Sequence, residues 1–210
     1  MPKQGYLHGV KFLIVEDNAF MREILRELLL CFSVRNIQEA HDGADALEIM
    51  QTWTPDIILL DWEMVPFDGI DFARMVRASN HNDQQFTPII MISAHSEYWR
   101  IQYARAAGIN EFLVKPISPH ALFSRICAVI DRPRPFIKTE KYFGPDRRRQ
   151  DQTHTDECRH EIAAQERIPD DQSMAQKQIN AIFNPGSEHP DDIVSSPATD
   201  SPQNKAAPTP

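Results

Sequence analysis

The chain has 210 residues, 41% hydrophobic and 25% charged, with a formal net charge of −8. That length allows one or two domains, and no apolar run nears the ~18 residues of a membrane-spanning helix. The Val10–Val15 run meets Glu16-Asp17 too soon for a signal peptide, and Cys31, Cys127 and Cys158 are an odd set at wide spacings that implies no disulfide framework. The expectation is a soluble, cytoplasmic protein with no membrane partner.

Charge is distributed unevenly. Residues 1–131 carry a net −6, residues 132–150 a net +5, and residues 151–210 a net −7. Ten of the 16 prolines follow residue 131, and Phe183 is the one aromatic after residue 150. A stretch so poor in apolar area does not offset chain entropy, so 151–210 is expected to be mostly disordered. The expected organisation is a lead at 1–9, a folded domain at 10–131, a basic aromatic arm at 132–150, and the acidic, Pro-rich tail.

Two periodicities alternate along the folded part. Lys11 to Val15 is a short apolar run that ends in Glu16-Asp17. Phe20, Ile24, Leu25, Leu28 and Leu29 then recur at helical spacing, with Arg22, Glu23, Arg26 and Glu27 opposite. A weaker strand near Val34–Ala40 leads through Asp42-Gly43 into a helix with Ala46, Leu47 and Met50. Ile57 to Leu60 is the next run, ending at Asp61; a helix follows around Gly69–Ala78. Pro88 to Ile92 ends at Ser93, and a helix at about 96–107 stops at Gly108, a plausible glycine just past a helix end. Glu111 to Lys115 is the fifth run, closed by Pro116, and Ser118-Pro119 opens a last helix with Leu122, Ile126, Val129 and Ile130. Cys31 and Cys127 fall on apolar helix faces and are expected to be buried thiols.

Five strand–helix units with near-continuous apolar strands indicate an α/β fold, a parallel sheet with helices on both faces. Ligands of such sheets sit outside the carboxyl ends of the strands. Glu16-Asp17, Asp61, Ser93 and Lys115 terminate four of the five strands, so they share that edge. Carboxylates gathered there repel one another unless a cation sits among them, and oxygen ligands suit Mg²⁺. A carboxylate nucleophile beside a divalent metal, a lysine and a hydroxyl can accept a phosphoryl group. No nucleotide-cradling glycine loop accompanies it.

Residues ~10–131 resemble the receiver domain of bacterial two-component response regulators. The match rests on Val15-Glu16-Asp17-Asn18, Asp61-Trp-Glu-Met64 with Asp68-Gly69, Ser93-Ala94 and Lys115-Pro116, in order and at strand ends. The resemblance implies a doubly wound, flavodoxin-like sheet of order 2-1-3-4-5. It implies Asp61 as phosphoacceptor, served by a histidine kinase or histidine phosphotransfer protein. Glu16 and Asp17 would hold Mg²⁺ with Asp61 and the backbone carbonyl of Glu63, while Ser93 and Lys115 would contact the phosphoryl group. Ser93 and Phe112 would form the switch pair, and the face of the fourth helix, fifth strand and fifth helix would carry the signal to a downstream protein. A cis bond before Pro116 is a frequent family feature.

Three departures stand out. The proline usual four residues after the acceptor is Pro66, with Val65 in its place; Phe112 has no hydroxyl; and Glu63 and His95 occupy positions that tune phosphate lifetime in the family. Such a chain would be a phosphoacceptor with slow self-dephosphorylation, not a turnover enzyme.

Two other readings compete. A Mg²⁺-dependent phosphatase of the haloacid dehalogenase type also uses an Asp nucleophile, but wants a second Asp where Glu63 stands. A nucleic-acid-binding regulator would act through 132–149, basic with interleaved aromatics; the contrary expectation is that Phe136, Tyr142 and Phe143 dock on the domain and leave the arginines in solvent. His154, Cys158 and His160 are too few for a metal site. Met174, Ile179, Ile182 and Phe183 could line one short amphipathic helix within 170–183, formed on binding.

Overall fold

The computed structural model describes residues 6–79, 84–139, 142–147 and 174–183. Its elements are β1 (Lys11–Val15), α1 (Ala19–Cys31), β2 (Asn36–Ala40), α2 (Gly43–Thr52), β3 (Ile57–Asp61), α3 (Gly69–Ala78), β4 (Ile89–Ser93), α4 (Tyr98–Ala106), β5 (Glu111–Val114) and α5 (Pro119–Asp131). A hairpin of β6 (Phe136–Lys138) and β7 (Phe143–Pro145) follows, then α6 (Gln176–Phe183). The first five strands form one parallel sheet in the order β2-β1-β3-β4-β5. The fold is the α/β doubly wound sheet that the strand pattern and the resemblance imply. Among the described residues, no helix is long and apolar enough to cross a membrane.

Alternation along the strands builds two cores. Phe12 and Ile14 of β1 join Leu25, Leu29, Leu122 and Ile126 from α1 and α5 on one face. Leu13 and Val15 join Met50, Phe72, Val76 and Ile101 from α2, α3 and α4 on the other. β3 and β4 are buried along their whole length because helices cover both sides. Each fully buried Ile, Leu or Phe contributes about 1.5–3 kcal/mol against leaving it in water.

Local chemistry starts each helix at the right residue. Asn18, Asp42, Asp68 and Ser118 each accept backbone N–H bonds at the N-caps of α1, α2, α3 and α5. Gly108, at φ +85°, ends α4 as expected, in a conformation that side-chain-bearing residues rarely adopt.

The C-terminal parts meet expectation in part. The hairpin docks through its aromatics, with Phe136 and Phe143 edge-on to Phe86 at 5.3 and 5.5 Å. Arg147, however, is not in solvent. It donates to the carbonyl of Ile109 and lies 4.8 Å over the Phe183 ring. Buried Arg77 donates to the carbonyls of Gly108 and Thr87 and stacks 5.0 Å from Phe136, tying the hairpin to the amino ends of β4 and β5. Within the stretch expected to be disordered, residues 176–183 form α6, which packs against β5 and the core rather than waiting for a partner. The tail apart from 174–183, with His154, Cys158 and His160, lies outside the described residues, as do Arg148 and Arg149 of the arm.

Two helix-face expectations also fail. Cys31 is exposed and Cys127 half-buried. Cys31 follows buried Leu29 by two residues, about 200° around the helix, so it faces water. Phe20 is 73% exposed, because the first turn of α1 starts past the end of β1, where no strand underlies it.

Gly69 sets the chain's return after β3. A Cβ there would come 2.1 Å from the carbonyl oxygen of Asp61. Gly69→Ala is therefore expected to cost about 1–3 kcal/mol in urea unfolding. Gly9→Ala, with nothing within 4 Å of the added carbon, should stay within about 0.5 kcal/mol. Equal stability of the two variants would refute this account of the β3 end.

Candidate functional site

Parallel strands all present their carboxyl ends at one edge, and the register aligns them. Asp61 pairs with Ile92, and Ser93 with Val114, so the polar residue closing each strand lies beside the next. Lys115 follows directly. Its Nζ lies 2.8 Å from Asp61 Oδ1 and 3.1 Å from Glu16 Oε2. Glu16, Asp17 and Asp61 each place a carboxylate oxygen within 4.8 Å of the others. Glu16 and Asp61 are buried and Asp17 is exposed, which makes Asp17 the open side of the cluster. Lys115–Pro116 is cis, as the resemblance implies, and Val65–Pro66 is cis as well.

The electrostatics follow from that crowding. Burial raises the Asp61 carboxyl above its ordinary value, with the Asp17 charge adding to it and Lys115 opposing. Burial also raises Glu16, and the Asp61 charge raises it further against the pull of Lys115. Burial alone would lower Lys115, but its bonds to Asp61 and Glu16 outweigh that and hold it charged. One lysine does not balance the three carboxylates. The donor set, all hard oxygens with one exposed member, fits Mg²⁺.

The segment after β3 closes the site. The Val65 N–H reaches Asp17 Oδ2 at 3.4 Å, folding the turn that carries Glu63 over Asp17. The Glu63 side chain turns elsewhere, 2.7 Å from His95 Nε2 and 3.3 Å from Arg100 Nη1. The place where a haloacid dehalogenase reading wants a catalytic Asp is thus held in a surface network. The His95 N–H donates to Ser93 Oγ at 3.1 Å, so that hydroxyl is engaged on its own loop.

A family model described as "Response regulator receiver domain" matches residues 12–127, more than half of the chain. The chain belongs to that family. Chemotaxis protein CheY of Pseudomonas aeruginosa is 34% identical over 123 residues, covering 59% of this chain and 98% of the relative. CheY-3 of Vibrio cholerae is 33% identical over 124 residues, with 59% and 94% covered. Among solved structures, V. cholerae CheY4 superposes with a TM-score of 0.53 at 30% identity, over 58% of this chain and 98% of that one. The CheX–CheY–BeF3–Mg complex of Borrelia burgdorferi gives 0.53 at 26%, covering 57% and 88%. Receiver domains bind Mg²⁺ at an acidic pocket, and the Glu16, Asp17 and Asp61 cluster is the corresponding pocket here.

Every receiver position named from the sequence lies at or behind this edge. Phe112, on β5, is fully buried, edge-on to Trp62 at 6.3 Å. Sequence reasoning missed Arg100, whose guanidinium lies 5.5 Å from the Trp62 ring as it reaches Glu63. It also missed Gln176 and the side of Phe112 that Phe183 covers, at 6.0 Å between stacked rings. No spacing rule marks such contacts.

Both shifted carboxyls sit above their ordinary values, so their ionisation costs stability. Their contribution favours the fold below the ordinary carboxylate range and is lost as pH rises through the raised values. At neutral pH without metal, Asp61→Asn is therefore expected to melt a few degrees higher, the scale of about 1 kcal/mol in a domain of this size. Mg²⁺ should raise the melting temperature of the wild type and much less that of Asp17→Asn. A wild type indifferent to Mg²⁺ would contradict the fit.

Proposed function

We propose that this response regulator accepts a phosphoryl group on Asp61 from a histidine kinase or histidine phosphotransfer protein, and signals through a changed protein contact. The observation that carries the reading is the Asp61–Lys115–Glu16 arrangement beside exposed Asp17. Receiver domains act with such kinases and with downstream targets, and a cytoplasmic location is part of this reading.

The step is an in-line displacement. An Asp61 carboxylate oxygen forms a bond to phosphorus as the donor's N–P bond breaks, and the electron pair leaves with the imidazole. Lys115 opposes the burial that raises the Asp61 carboxyl and stands ready to bond a phosphoryl oxygen. Glu16, Asp17, Asp61 and the Glu63 carbonyl would hold Mg²⁺, which neutralises charge on the transferred group. Exposed Phe20 and Val65 flank Asp17 and offer an apolar rim for the donor protein.

The new charge then biases the switch. Ser93 exchanges its bond with the His95 N–H for one to the phosphoryl group, and Phe112 moves into the space released. Having no hydroxyl, Phe112 distinguishes its two states by packing alone. Hydrolysis of the acyl phosphate resets the protein, so it is a phosphoacceptor and slow self-phosphatase rather than a turnover catalyst. The docking of Phe136, Phe143 and Arg147 on the domain uses the side chains a nucleic-acid reading would need free.

Acetyl phosphate with Mg²⁺ should add the mass of one phosphoryl group to the full chain. The adduct should vanish in Asp61→Asn and on chelation of the metal. A folded wild type that takes no adduct, or an adduct that persists in Asp61→Asn, would overturn the assignment.

A further inference from the structure

β5 is an edge strand, so its outer backbone groups need partners. The side-chain amide of Gln176 supplies them as a neighbouring strand's peptide would. Gln176 Oε1 accepts from the Val114 N–H at 2.7 Å, and Nε2 donates to the Phe112 carbonyl at 2.9 Å. Just before α6, the Met174 N–H donates to the Ser96 carbonyl at 2.7 Å, on the loop that carries Ser93's partner His95. Met174, Ile179 and Phe183 are all at or below 5% exposure in the core cluster that holds Ile101 of α4 and Phe112. Phe183 is clamped between the Phe112 ring at 6.0 Å and the Arg147 guanidinium at 4.8 Å. None of this segment lies in the matched span 12–127.

We propose that residues 174–183 are an internal ligand of the α4–β5 side of the receiver, and that phosphorylation and docking of α6 oppose each other. The inference rests on the phosphoacceptor reading for its phosphorylation arm. In the structure, Ser93 Oγ is bonded to the His95 N–H, and Phe112 and Phe183 stack. Movement of Phe112 on phosphorylation breaks that stack and strains the two β5 edge bonds one residue either side of Leu113. By linkage, whatever phosphorylation costs α6, α6 costs phosphorylation. A downstream protein reaching this face must displace α6. It needs the same chemistry: a short amphipathic helix with a carboxamide for the β5 edge and, seven residues on, an aromatic for Phe112.

The test uses the full chain with beryllofluoride and Mg²⁺ as the phosphoryl mimic, comparing wild type, Gln176→Ala and Phe183→Ala. Gln176→Ala removes the edge bonds but leaves the apolar contacts, so it serves even where Phe183→Ala disturbs folding. Before the mimic is added, the Val114 amide should be protected from hydrogen exchange in the wild type and unprotected in the variants. On adding it, wild-type protection should be lost. The variants should bind beryllofluoride at least about fivefold more tightly, the lower end of ordinary coupling between sites. Equal Val114 exchange in all three proteins would overturn the docking. Equal beryllofluoride affinity, with binding observed, would overturn the coupling while leaving the phosphoacceptor reading intact. No binding in any of the three would overturn that reading, and the coupling with it.

Discussion

Like charges forced together at the carboxyl edge of the sheet are the constraint from which the rest follows. Parallel pairing brings the ends of β1 and β3 side by side, and their closing residues are acids. Burial then makes the repulsion expensive, because little water remains to screen Glu16 and Asp61. Lys115 offsets part of it through two short contacts. The remainder is an electrostatic demand for more positive charge at exposed Asp17. A site in that state is held ready by the fold: sheet packing carries the strain, and a divalent ion relieves it. Under the proposed function, the same imbalance would offer an incoming phosphoryl group a lysine and a bound cation to meet, although it enters among carboxylates.

The fold and most of the site were legible because both arise from local pattern. A strand buried on both faces must be apolar along its length, so the first polar residue marks its end, and in a parallel sheet all such ends coincide. That reasoning reached Glu16, Asp17, Asp61, Ser93 and Lys115 without any knowledge of their contacts. The start of α5 was equally readable, since the Ser118 hydroxyl acts on the N–H only three residues on. Phe20 and Cys31 misled because periodicity says which residues share a face but not where the underlying strand stops.

What escaped was long-range and polar. Arg77 finds acceptors on Gly108, Thr87 and Asn110, and its burial lowers it to about 9, yet nothing near it in the chain announces those partners. Arg147 looked like a solvated member of a basic run. Its position is set by a carbonyl at Ile109 and a ring at Phe183, residues brought to it only by the complete tertiary structure. Composition averages over the whole tail. Periodicity did mark Met174, Ile179 and Phe183 as one amphipathic segment, but not that it packs into the core of this same chain.

That segment reaches toward both ends of the sheet. The phosphoacceptor lies at the carboxyl edge, while the hairpin and the Arg77 clamp lie at the amino edge, beside Gly108. Met174 bonds at Ser96 near the first, and Phe183 meets Arg147 near the second. Between them Gln176 holds the backbone of β5 on both sides of Leu113. The strand that bears the switch aromatic is therefore gripped along its free edge by a helix anchored at both ends of the sheet. Here Phe112 packs against the protein's own helix, so under the proposed switch the energy separating its two states would include the packing of Phe183 and the two amide bonds of Gln176.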